Sequence, residues 1–121
     1  MSLKILIETT LHGLKKIGSI DASAVVTRDG LLVASDISSG VDAETFAAMS
    51  ASMVGAAETA MIEVKGGNPD RVIVESETAK LISLGAGEKA LLVVLTKRDA
   101  PLGLVLLRMG ETARKISNLM D

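Results

Sequence analysis

The chain has 121 residues, of which 48% are hydrophobic and 23% charged, a composition typical of one folded globular domain and not of a disordered segment. A net charge of −2 and a single aromatic residue, Phe46, argue against nucleic-acid binding, because base stacking needs aromatic rings and phosphate binding needs a basic surface. Without cysteine the chain can form neither a disulfide framework nor a thiolate metal site.

The first predicted element is an amphipathic helix over residues 3–17, where apolar residues recur at helical spacing until Gly18 ends the pattern. The apolar run inside it stops at Glu8 without a small-residue cleavage site, so it does not resemble a signal peptide. No uncharged apolar run approaches the roughly 18 residues that a membrane span needs. We therefore expect a cytoplasmic protein without membrane insertion.

The next segment, AVVTRDGLLVAS at residues 24–35, predicts a β-hairpin with an Asp-Gly turn. A loop follows and supplies Asp42 as the cap of a second helix. This middle helix is expected to run to about Val64, because Gly66 or Gly67 can adopt the left-handed conformation that ends a helix.

Three further strands are predicted at residues 71–75 (RVIVE), 80–85 (KLISLG) and 90–96 (ALLVVLT), followed by a last amphipathic helix from Pro101. The strand ALLVVLT is apolar on both faces, so we expect it at the centre of the sheet with helices on either side. The first and last helices would share one face and the middle helix would cover the other. The predicted fold is a three-layer α+β sandwich with a largely antiparallel sheet.

The middle helix has two uncharged stripes on a helical wheel. Its bulky stripe is expected to face the sheet and comprises Phe46, Met49, Met53, Ala57, Ala60 and Val64. The other stripe, which we call the small-residue seam, comprises Ala48, Ser52, Gly55 and Thr59. A mid-helix glycine costs about 1 kcal/mol relative to alanine, and an exposed helix normally carries charges, so the seam predicts close packing against a partner helix. Glu44, Glu58 and Glu63 would form its polar rim.

The strand RVIVE predicts a second interaction surface. It begins the meander, and Val72, Ile73 and Val74 place neither a charge nor a proline along it. A bare apolar strand at a sheet edge favours pairing with another chain, and strand pairing and helix packing could be made together across one two-fold axis. The alternative is that another strand of the same chain covers this edge.

Catalytic chemistry is not indicated anywhere in the sequence. The single histidine, His12, lies beside the apolar stripe of the first helix, so neither a metal cluster nor a nucleophile–histidine pair can be assembled. The segment GAGEKA at residues 85–90 matches a dinucleotide-binding pattern but precedes a strand instead of a helix. The segment TKRD at residues 96–99 is similar to a guanine-binding motif, but the chain has no phosphate-binding loop. We predict no catalytic, cofactor or metal site, and therefore no enzyme.

These motifs together resemble the Roadblock family, which includes the dynein light chains of that name and prokaryotic single-domain proteins. The most specific part is FAAMSASMVGAAE, residues 46–58, supported by the hairpin at Asp29-Gly30, by VIVE and by LLVVLTKRDAPLGLV. The resemblance spans the first helix to the last, so we expect residues 1–121 to form a single Roadblock-like domain. It implies a five-stranded antiparallel sheet in the order 2-1-5-4-3, with the middle helix on one face and the terminal helices on the other.

The resemblance also implies an assembly and a role. Roadblock proteins pair through their third strands and middle helices, so the partner would be a second copy or a related Roadblock chain. They are non-enzymatic scaffolds that bind and regulate small Ras-like GTPases, or subunits of motility and signalling complexes. The alternative function is a small-ligand sensor of the profilin or PAS-like kind, which the scarcity of aromatic residues disfavours.

Overall fold

The computed structural model describes residues 1–38 and 40–121 and contains eight elements in the predicted order. The loop predicted before the middle helix includes Ser39, which lies outside the described residues. The helices are α1 (Leu3–Lys15), α2 (Ala43–Glu63) and α3 (Leu102–Met120). The strands are β1 (Ile20–Thr27), β2 (Leu32–Ile37), β3 (Arg71–Glu75), β4 (Ala79–Ala86) and β5 (Ala90–Lys97).

The five strands form one antiparallel sheet in the order β2-β1-β5-β4-β3, which confirms the predicted α+β fold and strand order. β5 is the central strand and is buried on both faces, as its uninterrupted apolar sequence predicts. Leu92 and Val94 belong to the core beneath α1 and α3, whereas Leu91 and Val93 belong to the core beneath α2. The terminal helices therefore share one face of the sheet and α2 covers the other.

The ends of α2 follow local chemistry. The Asp42 carboxylate accepts hydrogen bonds from the backbone N–H groups of Thr45 at 3.2 Å and Glu44 at 3.1 Å. These bonds, above all the one from Thr45, hold the pKa of Asp42 below its usual range, because they favour the charged carboxylate. At the other end Lys65 and Gly67 have φ values of 57° and 79°, so a lysine takes one of the left-handed positions expected of the glycines.

The predicted sheet-facing stripe of α2 is wrong at Met49, Ala60 and Val64, which are exposed, whereas Phe46 and Met53 pack partly against the core. The buried residues of this helix are Ala47, Ser50, Ala51 and Val54. Met49 and Val64, which were expected in the core, are 60% and 72% exposed. Small side chains let the helix approach the sheet closely, and the bulky residues lie to the side of this contact. The prediction failed because it assigned the inward face by side-chain size.

Candidate interaction surface

β3 lies at one edge of the sheet and pairs only with β4 among the described residues. The prediction that RVIVE is an edge strand is confirmed, and no other strand of the described chain covers it. β3 contains neither proline nor an irregularity in its register with β4. Its outward peptide groups are therefore available to a strand of another chain.

The three predicted contact residues of β3 point to different faces. Val72 packs against the core beneath α2, and Val74, two residues on, shares that face and is 46% exposed. Ile73 points the other way, pairs with Ile82 and packs against the core beneath α1 and α3. Only the backbone of Ile73 is therefore available at the edge, whereas Val74 offers an apolar side chain.

The small-residue seam is exposed over most of its length. Ser52 donates its hydroxyl to the carbonyl of Ala48 at 3.0 Å, and Thr59 donates in the same way to Gly55 at 3.0 Å. Both hydroxyl groups donate their hydrogen bonds within the helix, so burial of the seam against a partner would not break these bonds. A Cβ added at Gly55 would meet no atom within 4 Å, and the packing of this chain therefore does not account for the glycine.

Ala48 differs from the rest of the seam because it packs against its own chain. It is half-buried, and a Cβ added at Gly30 would lie 3.4 Å from its Cα. Gly30 has a φ of 99°, which the β1–β2 turn requires, so the hairpin turn packs directly on the start of α2. Ala48 therefore already contacts its own chain, and its place in the dimer interface stays a prediction.

Three bulky residues of the predicted sheet-facing stripe form a row along α2 that we call the apolar flank: Phe46, Met49 and Met53. Phe46 and Met53 pack partly against the core beneath α2, and Met49 between them is 60% exposed. The sequence does contain the stripe that faces the sheet: Ala47, Ala51 and Val54 have the same helical spacing as the predicted stripe but smaller side chains.

A cleft of about 440 Å³ separates the second half of α2 from the start of β3 and the β4–β5 turn. Arg28 in its wall donates from Nε to the carbonyl of Glu88 at 2.9 Å, and its Nη1 lies 3.5 Å from the Glu58 carboxylate. Glu58 is thus engaged within the chain and is not a free part of the predicted rim. Ser83, also in the lining, is 2% exposed, and its hydroxyl has no hydrogen-bond partner among the described residues.

Local partners engage the single histidine and two arginines that could otherwise reach a bound partner. His12 is exposed, and its Nδ1 lies 3.0 Å from Asp36. Arg98 donates to the carbonyl of Ser76 at 2.6 Å, and Arg108 lies 3.2 Å from Glu111. The GAGEKA segment leads into β5, which confirms that it is a hairpin turn. In the described part of the chain, no group of histidine and carboxylate side chains is arranged to hold a metal ion.

Comparison with known proteins identifies the family. The sequence model of the Roadblock/LC7 domain matches residues 6–96. The chain belongs to the Roadblock/LC7 family. Two proteins of Methanocaldococcus jannaschii, both named only as uncharacterized, are each 39% identical to it over 111 residues, which is 92% of this chain and 96% of theirs. The family resemblance of the sequence is thereby confirmed.

Solved structures agree on the fold. Myxococcus xanthus MglB has a TM-score of 0.86 and 21% identity, over 93% of this chain and 86% of that one. The gliding protein MglB of Thermus thermophilus has a TM-score of 0.85 and 19% identity, over 98% of this chain and 91% of that one. Among the described residues of the present Roadblock/LC7 chain, no helix is both long and apolar enough to cross a membrane.

Proposed function

We propose that this Roadblock/LC7 chain is a non-enzymatic, cytoplasmic, dimeric scaffold that binds and regulates a small Ras-like GTPase. The observation that carries the proposal is the unpaired edge of β3 together with the exposed, uncharged seam of α2. A protein that acts by assembly needs such surfaces and no catalytic group. Roadblock proteins have this role as a family, and the likeness to gliding proteins supports a place in a motility or signalling complex.

The dimer would join two copies at β3, with the seams of their α2 helices in contact. Pairing of the β3 edges would continue the five-stranded sheet of one copy into that of the other. Ser52, Gly55 and Thr59 would let the second helix approach closely, and Val72 and Val74 would pack beneath it. Ile73 would contribute backbone hydrogen bonds. A related Roadblock chain with the same edge and seam could replace the second copy.

The direct test measures binding of the purified chain to each Ras-like GTPase encoded by the source genome. Each GTPase would be loaded in turn with GDP and with a non-hydrolysable GTP analogue, and binding followed by biolayer interferometry. We expect one GTPase to bind with a clear preference for one nucleotide state, and its hydrolysis or exchange rate to change on binding. If no GTPase binds in either state, the proposed function is wrong.

A matched pair of variants tests whether the dimer is the form that binds. Ser52→Arg places a long cation on the seam. Thr9→Arg is its control, because Thr9 is exposed on α1 and donates to the carbonyl of Ile5 at 2.9 Å, as Ser52 does to Ala48. We expect only Ser52→Arg to lose both the dimer and the GTPase. Binding that persists in a monomeric Ser52→Arg protein would separate assembly from partner recognition.

The second candidate function is a small-ligand sensor, and the cleft at Arg28 is the observation that favours it. Its lining includes the unpartnered hydroxyl of Ser83 and two arginines, Arg28 and Arg71. A ligand with an anionic group could reach both arginines. Thermal-shift screening with nucleotides and metabolites tests this function. A ligand that raises the melting temperature of the chain, but not that of an Arg71→Ala variant, would support it.

A further inference from the structure

The edge of the sheet opposite β3 is formed by β2, which pairs only with β1 in the described chain. In an antiparallel pair the peptide groups of alternate residues face away from the partner strand. The outward groups of β2 therefore have no strand to bind. Assembly through β3 would leave this edge free, because β2 lies at the far side of the sheet.

β2 has one irregularity in its register with β1, where Val25 pairs with Ala34 and Val26 with Leu32, but otherwise few of the features that usually protect a free edge. Its six residues, Leu32–Ile37, include neither proline nor lysine. The one charged residue, Asp36, is turned toward α1, where its carboxylate lies 3.0 Å from His12 Nδ1 and 3.1 Å from Lys15 Nζ. Its side chain is 10% exposed. The free edge of β2 therefore presents backbone peptide groups and no charged side chain.

A groove of about 740 Å³ runs along this edge. Its floor is the segment from Gly30 to Ser35, one wall carries Lys4 and Glu8 of α1, and the other carries Glu44 of α2. Leu31, in the floor, is 65% exposed. The groove thus combines an unpaired strand edge, an apolar contact and two walls, which is the arrangement that binds an extended peptide.

The charges of the walls indicate what kind of peptide would fit. Two carboxylates, Glu8 and Glu44, lie beside one cation, Lys4, and none of the three makes an ion pair with a described residue. A second copy of this chain would bring the same two carboxylates and one lysine to the groove, so the excess of negative charge on both sides would repel. A peptide with lysine or arginine beside its apolar residues would be attracted.

We propose that the edge of β2 binds an extended basic segment of a partner protein, which joins the sheet as a further strand. Apolar residues at alternate positions of the segment would contact the floor near Leu31, and lysine or arginine side chains would face Glu8 and Glu44. The inference does not depend on the GTPase, since it concerns the other edge of the sheet.

The test pans a phage library of random dodecapeptides against the purified chain and then measures the selected peptides by isothermal titration calorimetry. We expect the selected sequences to alternate apolar residues with other residues and to be rich in lysine or arginine. Each peptide would also be made in two forms, N-methylated at one or the other set of alternate residues. A strand added to an edge pairs on one side only, so one form should lose binding and the other should keep it.

Charge reversal locates the binding site. The double variant Glu8→Lys with Glu44→Lys should bind the selected peptides about tenfold more weakly, because two attractions become repulsions. The control, Glu77→Lys with Glu88→Lys, has the same change of net charge on exposed turns and should bind normally. Circular dichroism would verify that both variants are folded.

Three results would overturn the proposal: no enriched peptide, equal tolerance of both N-methylated forms, or equal binding by the two double variants. Sedimentation of the chain without peptide tests the other possible occupant of the groove, a second copy of the chain. If the Glu8→Lys with Glu44→Lys variant changes the oligomeric state, the groove belongs to a contact between copies and the basic-peptide proposal is wrong.

Discussion

Arg28 lies between two other parts of the fold: its Nη1 is 3.5 Å from the Glu58 carboxylate on α2, and its Nε donates to the carbonyl of Glu88 at 2.9 Å. One side chain thus connects the end of β1 with α2 and with the β4–β5 turn. We expect Arg28→Ala to lower the free energy of unfolding by about 1–2 kcal/mol, mainly through the bond to the carbonyl. Urea unfolding followed by circular dichroism measures this loss.

Glu58→Gln is the control for this prediction. The Arg28–Glu58 pair is partly exposed, with side-chain exposures of 39% and 34%, and exposed ion pairs contribute little to stability. The glutamine variant should therefore unfold almost as the unchanged protein does. A loss as large as that of Arg28→Ala would show that the ion pair, and not the carbonyl bond, is the main contribution.

The seam of α2 can be tested without disturbing the fold. An added Cβ at Gly55 meets no atom within 4 Å, and leucine is a better helix former than glycine, so Gly55→Leu should leave the monomer at least as stable. In a dimer joined at the seam, the larger side chain would separate the two helices. We expect the variant to sediment as a folded monomer. An unchanged, equally tight dimer would show that the seam is not the interface.

The edge of β3 can be tested with two valines of similar exposure. Val74 on β3 is 46% exposed and Val41, in the loop before α2, is 44% exposed. A lysine on a strand edge opposes pairing with another chain, so Val74→Lys should weaken the dimer. Val41→Lys adds the same charge away from the edge and should leave the dimerisation constant unchanged. Equal dimerisation of the two variants in sedimentation equilibrium would place the interface elsewhere.

This pair is preferable to Ile73→Pro, which would also disturb the packing of Ile73 in the core.

The cap of α2 gives stability a defined pH dependence. Hydrogen bonds from Thr45 and then Glu44 hold the pKa of Asp42 below its usual range. The folded-state pKa is lower than the unfolded one, so the contribution of the carboxylate is complete above the unfolded pKa and is lost as the pH falls through the folded pKa. The melting temperature of Asp42→Ala should therefore be several degrees below that of the unchanged protein at neutral pH, and this difference should be smaller in acid.

Thermal unfolding of both proteins from about pH 7 to about pH 3 checks this dependence. Asp42→Asn separates the charge from the cap, since asparagine still accepts the hydrogen bonds. A difference between Asp42→Ala and the unchanged protein that is the same at every pH would contradict the prediction.

The order of the elements and the burial of β5 were predictable because they depend on local periodicity and turn chemistry. The Asp42 cap, the hairpin turn at Gly30 and the two-sided apolar run of β5 each need only neighbouring residues to be recognised. The strand order 2-1-5-4-3 came from the family resemblance, since nothing local in the sequence determines which strands are neighbours.

The inward face of α2 was not predictable from side-chain size. Helix and sheet approach closely at Ala47 and Ala51, and that distance is a property of the tertiary structure. The same limitation applies to Ala48, whose contact with Gly30 joins residues that the sequence pattern does not relate. The interface predicted on α2 and β3 remains a prediction that the seam and edge variants test, and its residues are Ala48, Ser52, Gly55, Thr59, Val72, Ile73 and Val74.

The strand order also has a consequence for folding. β1–β2 and β3–β4–β5 are each local in sequence, but β1 joins the rest of the sheet only through β5, by pairs such as Thr27 with Ala90. During synthesis, therefore, the edge of β1 that will pair with β5 stays unpaired until the ribosome has released residues up to Lys97. Non-local pairing of this kind slows folding, and an edge left bare in the meantime exposes the nascent chain to aggregation.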